Sequence, residues 1–311
     1  MSENDIQISP PRNSREGWRE GLRYFWRPEN LGEMLVWSTE AWKRSKIPLA
    51  NDRAWDKNET CNRSMQWAGG DNEANYHKRG NKEMPIDSVW YDFNSFGYRT
   101  ADEFDLSGLA PGIMFAGCSH TVGAGVPYDA AWPTLVTKHF AQAWNIPELR
   151  NYNLAVSGAS TDYVAMIVHQ AVDVLKPKAV FVLWPNTYRM MWFNDRINHF
   201  VTHIANKSGI EEHTCFLKLF TEEHAFANFV RNYNFVANKL ALANVPFVCM
   251  ASQAIRKDVL VDYAPISALA GDWGKRLDVA RDGFHRGIKS LAVVADMMIA
   301  KAEDLGLGQL D

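Results

Sequence analysis

Three short apolar runs punctuate the chain: GIMFAG (112–117), AVFVLW (179–184) and VPFVCM (245–250), none interrupted by a charge. Such a run suits a strand of a parallel sheet that is covered by helices on both faces. RNYNLAVSG (150–158) alternates polar and apolar residues and predicts a weaker strand. Between the runs the rhythm turns helical. STDYVAMIVHQAVDVLKP (160–177) puts Val164, Ile167, Val168, Ala171 and Leu175 on one face, with Ser160 placed to cap the start and Pro177 to stop the helix. TEEHAFANFVRNYNFVANKLALA (221–243) aligns Phe226, Val230, Tyr233, Ala237 and Leu240, and Glu222 and Glu223 suit the positive end of its dipole. GIKSLAVVADMMIAKAEDLG (287–306) supplies a last helix. Strands alternating with helices predict an α/β fold, a three-layer α/β/α sandwich around a central parallel sheet with right-handed crossovers.

The first ninety residues have a different texture. Residues 1–11, ending in Pro10-Pro11, read as a flexible tail. Residues 12–90 read as a tryptophan-rich extension packed on the main domain, 91–311. Within the extension NLGEMLVWSTEAWKRSK (30–46) predicts a helix with Leu31, Met34, Leu35, Ser38, Ala41 and Trp42 on one face. AGGDNEANYHKRGNKEMP (68–85) has no hydrophobic rhythm and reads as a loop.

Composition narrows the class. With 47% hydrophobic and 22% charged residues, the chain has enough apolar surface for a globular core. A net charge of −3 gives no hint of nucleic-acid binding, which usually shows itself as a basic stripe or a strongly basic domain. No stretch approaches the roughly 18 apolar residues of a membrane span. The N-terminus MSENDIQISPPRNSREGW has no apolar core of signal-peptide length, so a cytoplasmic location is expected, or a virion if the chain is phage-encoded. Cys61, Cys118, Cys215 and Cys249 are widely spaced and predict neither a disulfide framework nor a zinc cluster.

In open parallel sheets, functional groups collect just past the carboxyl ends of the strands. That rule selects GCSHTVG after the first strand, NLAVSGAST after the second, WPNTYR after the third and ARDGFHRG before the last helix. The four loops hold a complete set for nucleophilic catalysis. Ser119 needs a base, which His285 can supply; Asp282, three residues earlier, can orient that base. The backbone N–H groups of Ser119 and Gly158 and the side-chain amide of Asn186 are available to stabilise an oxyanion.

The order Ser, Gly, Asn, then D-x-x-H resembles the SGNH hydrolase family, also called GDSL esterases/lipases. GCSHTVGAG is similar to its first block, with Cys118 where aspartate is usual. NLAVSGAST is similar to the second, with Asn153 matched beside Gly158, and WPNT to the third, with Trp184 and Thr187 differing. DGFH is similar to the last block, and FNSFGYRT (93–100) to a segment of bacterial and phage relatives. The resemblance covers about residues 90–305. It implies the flavodoxin-like SGNH hydrolase fold and a Ser119–His285–Asp282 triad. It further implies an oxyanion hole of Ser119, Gly158 and Asn186, with no cofactor and no metal.

The expected function is hydrolysis of a carboxylic ester, such as an O-acetyl or other short acyl group on a saccharide. Two other readings share the same residues. One is a catalytically degenerate structural or binding module, for instance in a phage particle; the other is an acyltransferase using the same triad. Trp184, Tyr188 and Arg189 crowd the third loop as candidate substrate contacts. Asn153 is read as a structural tie between loops. His199 and His203, spaced i, i+4, with His213 and Cys215 following, lack a completing carboxylate and are read as structural or surface residues. The partner expected is a small-molecule or saccharide ester, with homo-oligomer assembly through the extension as a further candidate.

Overall fold

In the computed structural model the residues described are 62–194, 199–204, 221–253 and 266–309. The tail, the helix expected at 30–46 and the extension as far as residue 61 lie outside them. The elements are β1 (Ser64–Met65), α1 (Glu73–Arg79), β2 (Tyr91–Asp92), β3 (Gly112–Gly117), α2 (Ser119–Val122), a 3-10 turn (Tyr128–Ala130), α3 (Trp132–Ala143), β4 (Arg150–Asn153), α4 (Thr161–Leu175) and β5 (Ala179–Trp184). They continue with β6 (Arg189–Asn194), β7 (His199–Ile204), α5 (Glu222–Leu242), β8 (Phe247–Ala251), β9 (Leu269–Asp272) and α6 (Ile288–Asp304).

Five strands form one sheet in the order β4-β3-β5-β8-β9. Each neighbouring pair runs parallel. The sheet is sandwiched as its unbroken apolar strands require. Ile113, Phe115, Phe181, Leu183, Val248 and Met250 point to one face, where they bury Trp132, Val136 and Phe140 of α3 and Leu291, Val294 and Met298 of α6. The opposite face meets α4 and α5, with Trp184 at the end of β5 packed edge-on to Phe229 and tilted against Tyr233 of α5. The fold is therefore the three-layer α/β/α sandwich expected from the alternation.

Element ends follow local chemistry. Ser160 caps α4 by accepting from the Tyr163 N–H at 3.2 Å, and the helix stops at Lys176, left-handed at φ 43°, before Pro177. Thr221 caps α5 in the same way, through the His224 N–H. β4 is shorter than the alternation of 150–158 suggests, because Asn153 Oδ1 accepts from the Ala155 N–H and turns the chain. The strand expected at 245–250 begins at Phe247, since Pro246 has no N–H to donate.

Within 68–85, read as a loop, residues 73–79 are helical. Asn72 accepts from the Asn75 N–H at 2.8 Å, Glu73 opens the first turn and Lys78 and Arg79 close the last, so caps rather than hydrophobic rhythm make α1. The β6–β7 hairpin holds His199 and His203 in a strand. There, i, i+4 spacing separates them by about 13 Å instead of one helical turn.

The connectivity locates a switch point. From β3 the chain passes to β4 on one side and then to β5 on the other. The loops leaving these strands therefore part around the carboxyl end of β3, where ligands of such sheets bind.

Candidate active site

Ser119 is the first residue of α2, directly after β3, and is buried at 6% exposure. Asp282 and His285 lie in the loop between β9 and α6. The D-x-x-H spacing does local work there: the N–H groups of Phe284 and His285 both donate to Asp282 Oδ1 at 2.9 Å. Oδ2 is left to face His285 Nδ1 at 2.5 Å. His285 Nε2 stands 2.8 Å from Ser119 Oγ. Burial raises the Asp282 pKa, but the hydrogen bond to the His285 ring and the backbone N–H donors of Phe284 and His285 outweigh it and hold the carboxyl below its usual range. An ionised Asp282 requires Nδ1 to carry the imidazole proton. Nε2 is then the lone pair that accepts from the serine hydroxyl.

The turn that carries Ser119 is braced on both sides. Asn153 Nδ2 donates to Thr121 O at 2.9 Å, tying the end of β4 to α2. Gly125 N–H meets the Tyr91 hydroxyl at 2.8 Å and Gly125 O accepts from the Arg281 N–H at 2.8 Å. A Cβ at Gly125 would lie 2.9 Å from that of Ala280, so the two turns abut with no room for a side chain. Cys118, where the family pattern has aspartate, is buried and makes no capping bond with its side chain.

The three candidate oxyanion donors belong to loops that flank β3. Ser119 N–H opens a helix and has no intrahelical acceptor. Gly158 lies in a turn anchored to the sheet by Val156 N–H on Gly117 O at 3.3 Å, and adopts φ +78°, which a residue without Cβ takes readily. Asn186 accepts from the Tyr188 N–H through Oδ1 at 2.8 Å, which leaves Nδ2 without a protein partner among the described residues.

Of the expected substrate contacts, Trp184 is corrected. Its side chain is fully buried against α5, because strand alternation turns the last residue of β5 to that face; it is a core residue. Tyr188 and Arg189 are half-buried at the third loop. The Tyr188 hydroxyl donates to Glu222 at 2.9 Å, and Arg189 Nη1 bonds the carbonyl of Ala159, next to Gly158, at 3.3 Å. Arg189 has no carboxylate partner among the described residues.

The sequence reading missed His120. Its ring is packed between Trp273, at 4.5 Å, and His285, at 5.0 Å. Only its place beside Ser119 could have pointed to it. Phe284 stands 58% exposed, edge-on to His285 at 5.2 Å, with Arg79 over its ring at 5.3 Å. No group of three or more His, Cys, Asp and Glu side chains among the described residues is arranged to hold a metal ion. Nor is any described helix long and apolar enough to cross a membrane.

No family model and no curated protein matches the chain. Among solved structures it is similar to TesA, at 12% identity and a TM-score of 0.40, over 62% of this chain and 99% of that one. It is also similar to the psychrotrophic esterase EstA from Pseudoalteromonas sp., at 15% identity and a TM-score of 0.41, over 62% of this chain and 97% of that one. A member of the lipolytic protein G-D-S-L family from Veillonella parvula is similar at 14% identity and a TM-score of 0.34, over 63% and 98% of the two chains.

Proposed function

We propose that the protein is a serine hydrolase of the SGNH type that cleaves a carboxylic ester. The observation that carries this reading is the unbroken chain from Ser119 Oγ through His285 to Asp282. Ser119 passes its proton to His285 Nε2 as Oγ bonds to the ester carbonyl carbon. The carbonyl electron pair moves to oxygen, where the N–H groups of Ser119 and Gly158 and the Asn186 amide donate to it. Collapse expels the alcohol, which takes the proton from His285. A water, deprotonated by His285, then attacks the acyl carbon; the acyl–Oγ bond breaks, the carboxylic acid departs and Ser119 Oγ takes the proton back from His285. Asp282 keeps the base in the required tautomer throughout.

The substrate in this reading is a short acyl ester, such as acetate on a saccharide, with Tyr188 and Arg189 at the rim of the site. A triad within hydrogen-bond reach in the right order favours an active enzyme over a degenerate binding module. Fluorophosphonate labelling tests the mechanism. Native protein should form one adduct on Ser119, and Ser119→Ala should form none; an unlabelled native protein, or undiminished labelling of the variant, would sink the proposal.

A further inference from the structure

Asp71 and Arg281 form an ion pair with both side chains at 0% exposure. The guanidinium uses all five of its N–H donors. Nε and Nη2 reach Asp71 at 3.2 and 2.6 Å, Nη2 also reaches the Gln66 carbonyl at 2.5 Å, and Nη1 reaches the carbonyls of Ile86 and Val89 at 2.6 and 3.0 Å. Its central carbon lies 3.9 Å from the Trp67 ring centroid. Every one of these partners comes from residues 66–89. Arg281 itself immediately precedes Asp282.

The other arm of the network runs to the nucleophile. The Tyr91 hydroxyl donates to Asp71 Oδ2 at 2.6 Å and accepts from the Gly125 N–H at 2.8 Å, in the turn that follows α2. Gly125 O closes the circuit by accepting from the Arg281 N–H. The segment also runs beside His285 and Asp282: a Cβ added at Gly70 would come 3.6 Å from His285 Cε1 and 3.9 Å from Asp282 Oδ2. A buried ion pair adds little stability over apolar residues of equal volume, so packing alone does not call for one here. What it supplies is fixed geometry, through directional bonds to both turns.

We propose that Asp71 is a positioning residue of the site, acting through Arg281 on the Asp282–His285 turn and through Tyr91 on the Ser119 turn. Residues 62–92 are in consequence part of the active-site framework. The kinetic arm of the test rests on the hydrolase reading; the spectroscopic arm does not.

The experiment compares the full-length protein with Tyr91→Phe and Asp71→Asn. Proton NMR follows the far-downfield resonance of the imidazole proton between His285 Nδ1 and Asp282, without substrate. Turnover of p-nitrophenyl acetate gives kcat and KM. Tyr91→Phe should fold, shift or broaden that resonance, and lower kcat about 10- to 100-fold with KM nearly unchanged, as a displacement of the order of 1 Å would. Asp71→Asn should do the same more strongly; if it fails to fold, Tyr91→Phe decides alone. A Tyr91→Phe protein with native resonance and native kcat, even with a lowered melting temperature, would show a purely structural tie and overturn the proposal. Should the native protein neither label nor turn over, the hydrolase reading falls while the resonance still decides the positioning role.

Discussion

The ring of His120 stands nearly perpendicular to that of His285, with centroids 5.0 Å apart and planes at 72°. Its Nδ1 is sealed from solvent without a partner. Burial above all, and then its place beside His285, Arg189 and Arg286, push its pKa well below the ordinary imidazole value, against a weaker opposite pull from Asp282. His120 is thus neutral at neutral pH.

A pH dependence of stability follows from that depressed pKa. The unfolded chain binds a proton at His120 near pH 6.5, while the folded chain binds it only at much lower pH. The stability His120 contributes is full above about pH 6.5 and declines as pH falls toward the folded pKa. Melting curves between pH 7 and pH 5 should show the native protein losing stability faster than His120→Gln. Parallel curves would contradict the assignment.

Asp282→Asn should leave the fold in place and lower kcat by roughly four orders of magnitude, because the amide can hold the imidazole in the wrong tautomer. The carboxyl is held below its usual range, so its stabilising effect is present above the ordinary carboxylate pKa and is lost as pH falls through the folded value. The variant should therefore lose less stability on acidification than the native protein. Parallel kinetics and acid melts check both statements.

Asn186→Asp separates the two functions of that side chain. Oδ1 can still accept from the Tyr188 N–H, but the Nδ2 donors are gone and a negative charge replaces them. Loss of one oxyanion donor costs about 100- to 1000-fold in kcat. A matching fall with little change in melting temperature is expected; native kcat would remove Asn186 from the oxyanion site.

Trp184→Ala should destabilise the protein by about 3–5 kcal/mol, the usual cost of emptying a buried aromatic position. Denaturant unfolding measures that loss. Among molecules that remain folded, KM should be unchanged, which separates a core residue from a substrate contact.

Much of the sheet was legible because a buried parallel strand writes itself as an unbroken apolar run. β3 and β5 match theirs to the residue. α4 and α5 were legible for a related reason: periodicity and caps act within one or two turns. The seven-residue α1 was not, being too short to show a period and held by its caps and one buried residue, Tyr76. Trp184 shows the limit at the site itself. A tryptophan beside a candidate loop has the same letters whether it faces substrate or core, and the packing of α5 on that face of the sheet decides which.

The sequence by itself determined β3, β4, β5 and β8, the helices α4, α5 and α6, the four strand-end loops and the local D-x-x-H turn, since all of these depend on residues a few positions apart; α3, β9 and the β6–β7 hairpin were not among them. Only the tertiary structure decided that Ser119 meets His285, 166 residues away, and that Asp71 meets Arg281, 210 residues away. Such contacts have no local periodicity to announce them. They arise because β3 lies between β4 and β5 in the sheet, and because one fully hydrogen-bonded guanidinium joins residues 66–89 to the turn that carries Asp282 and His285.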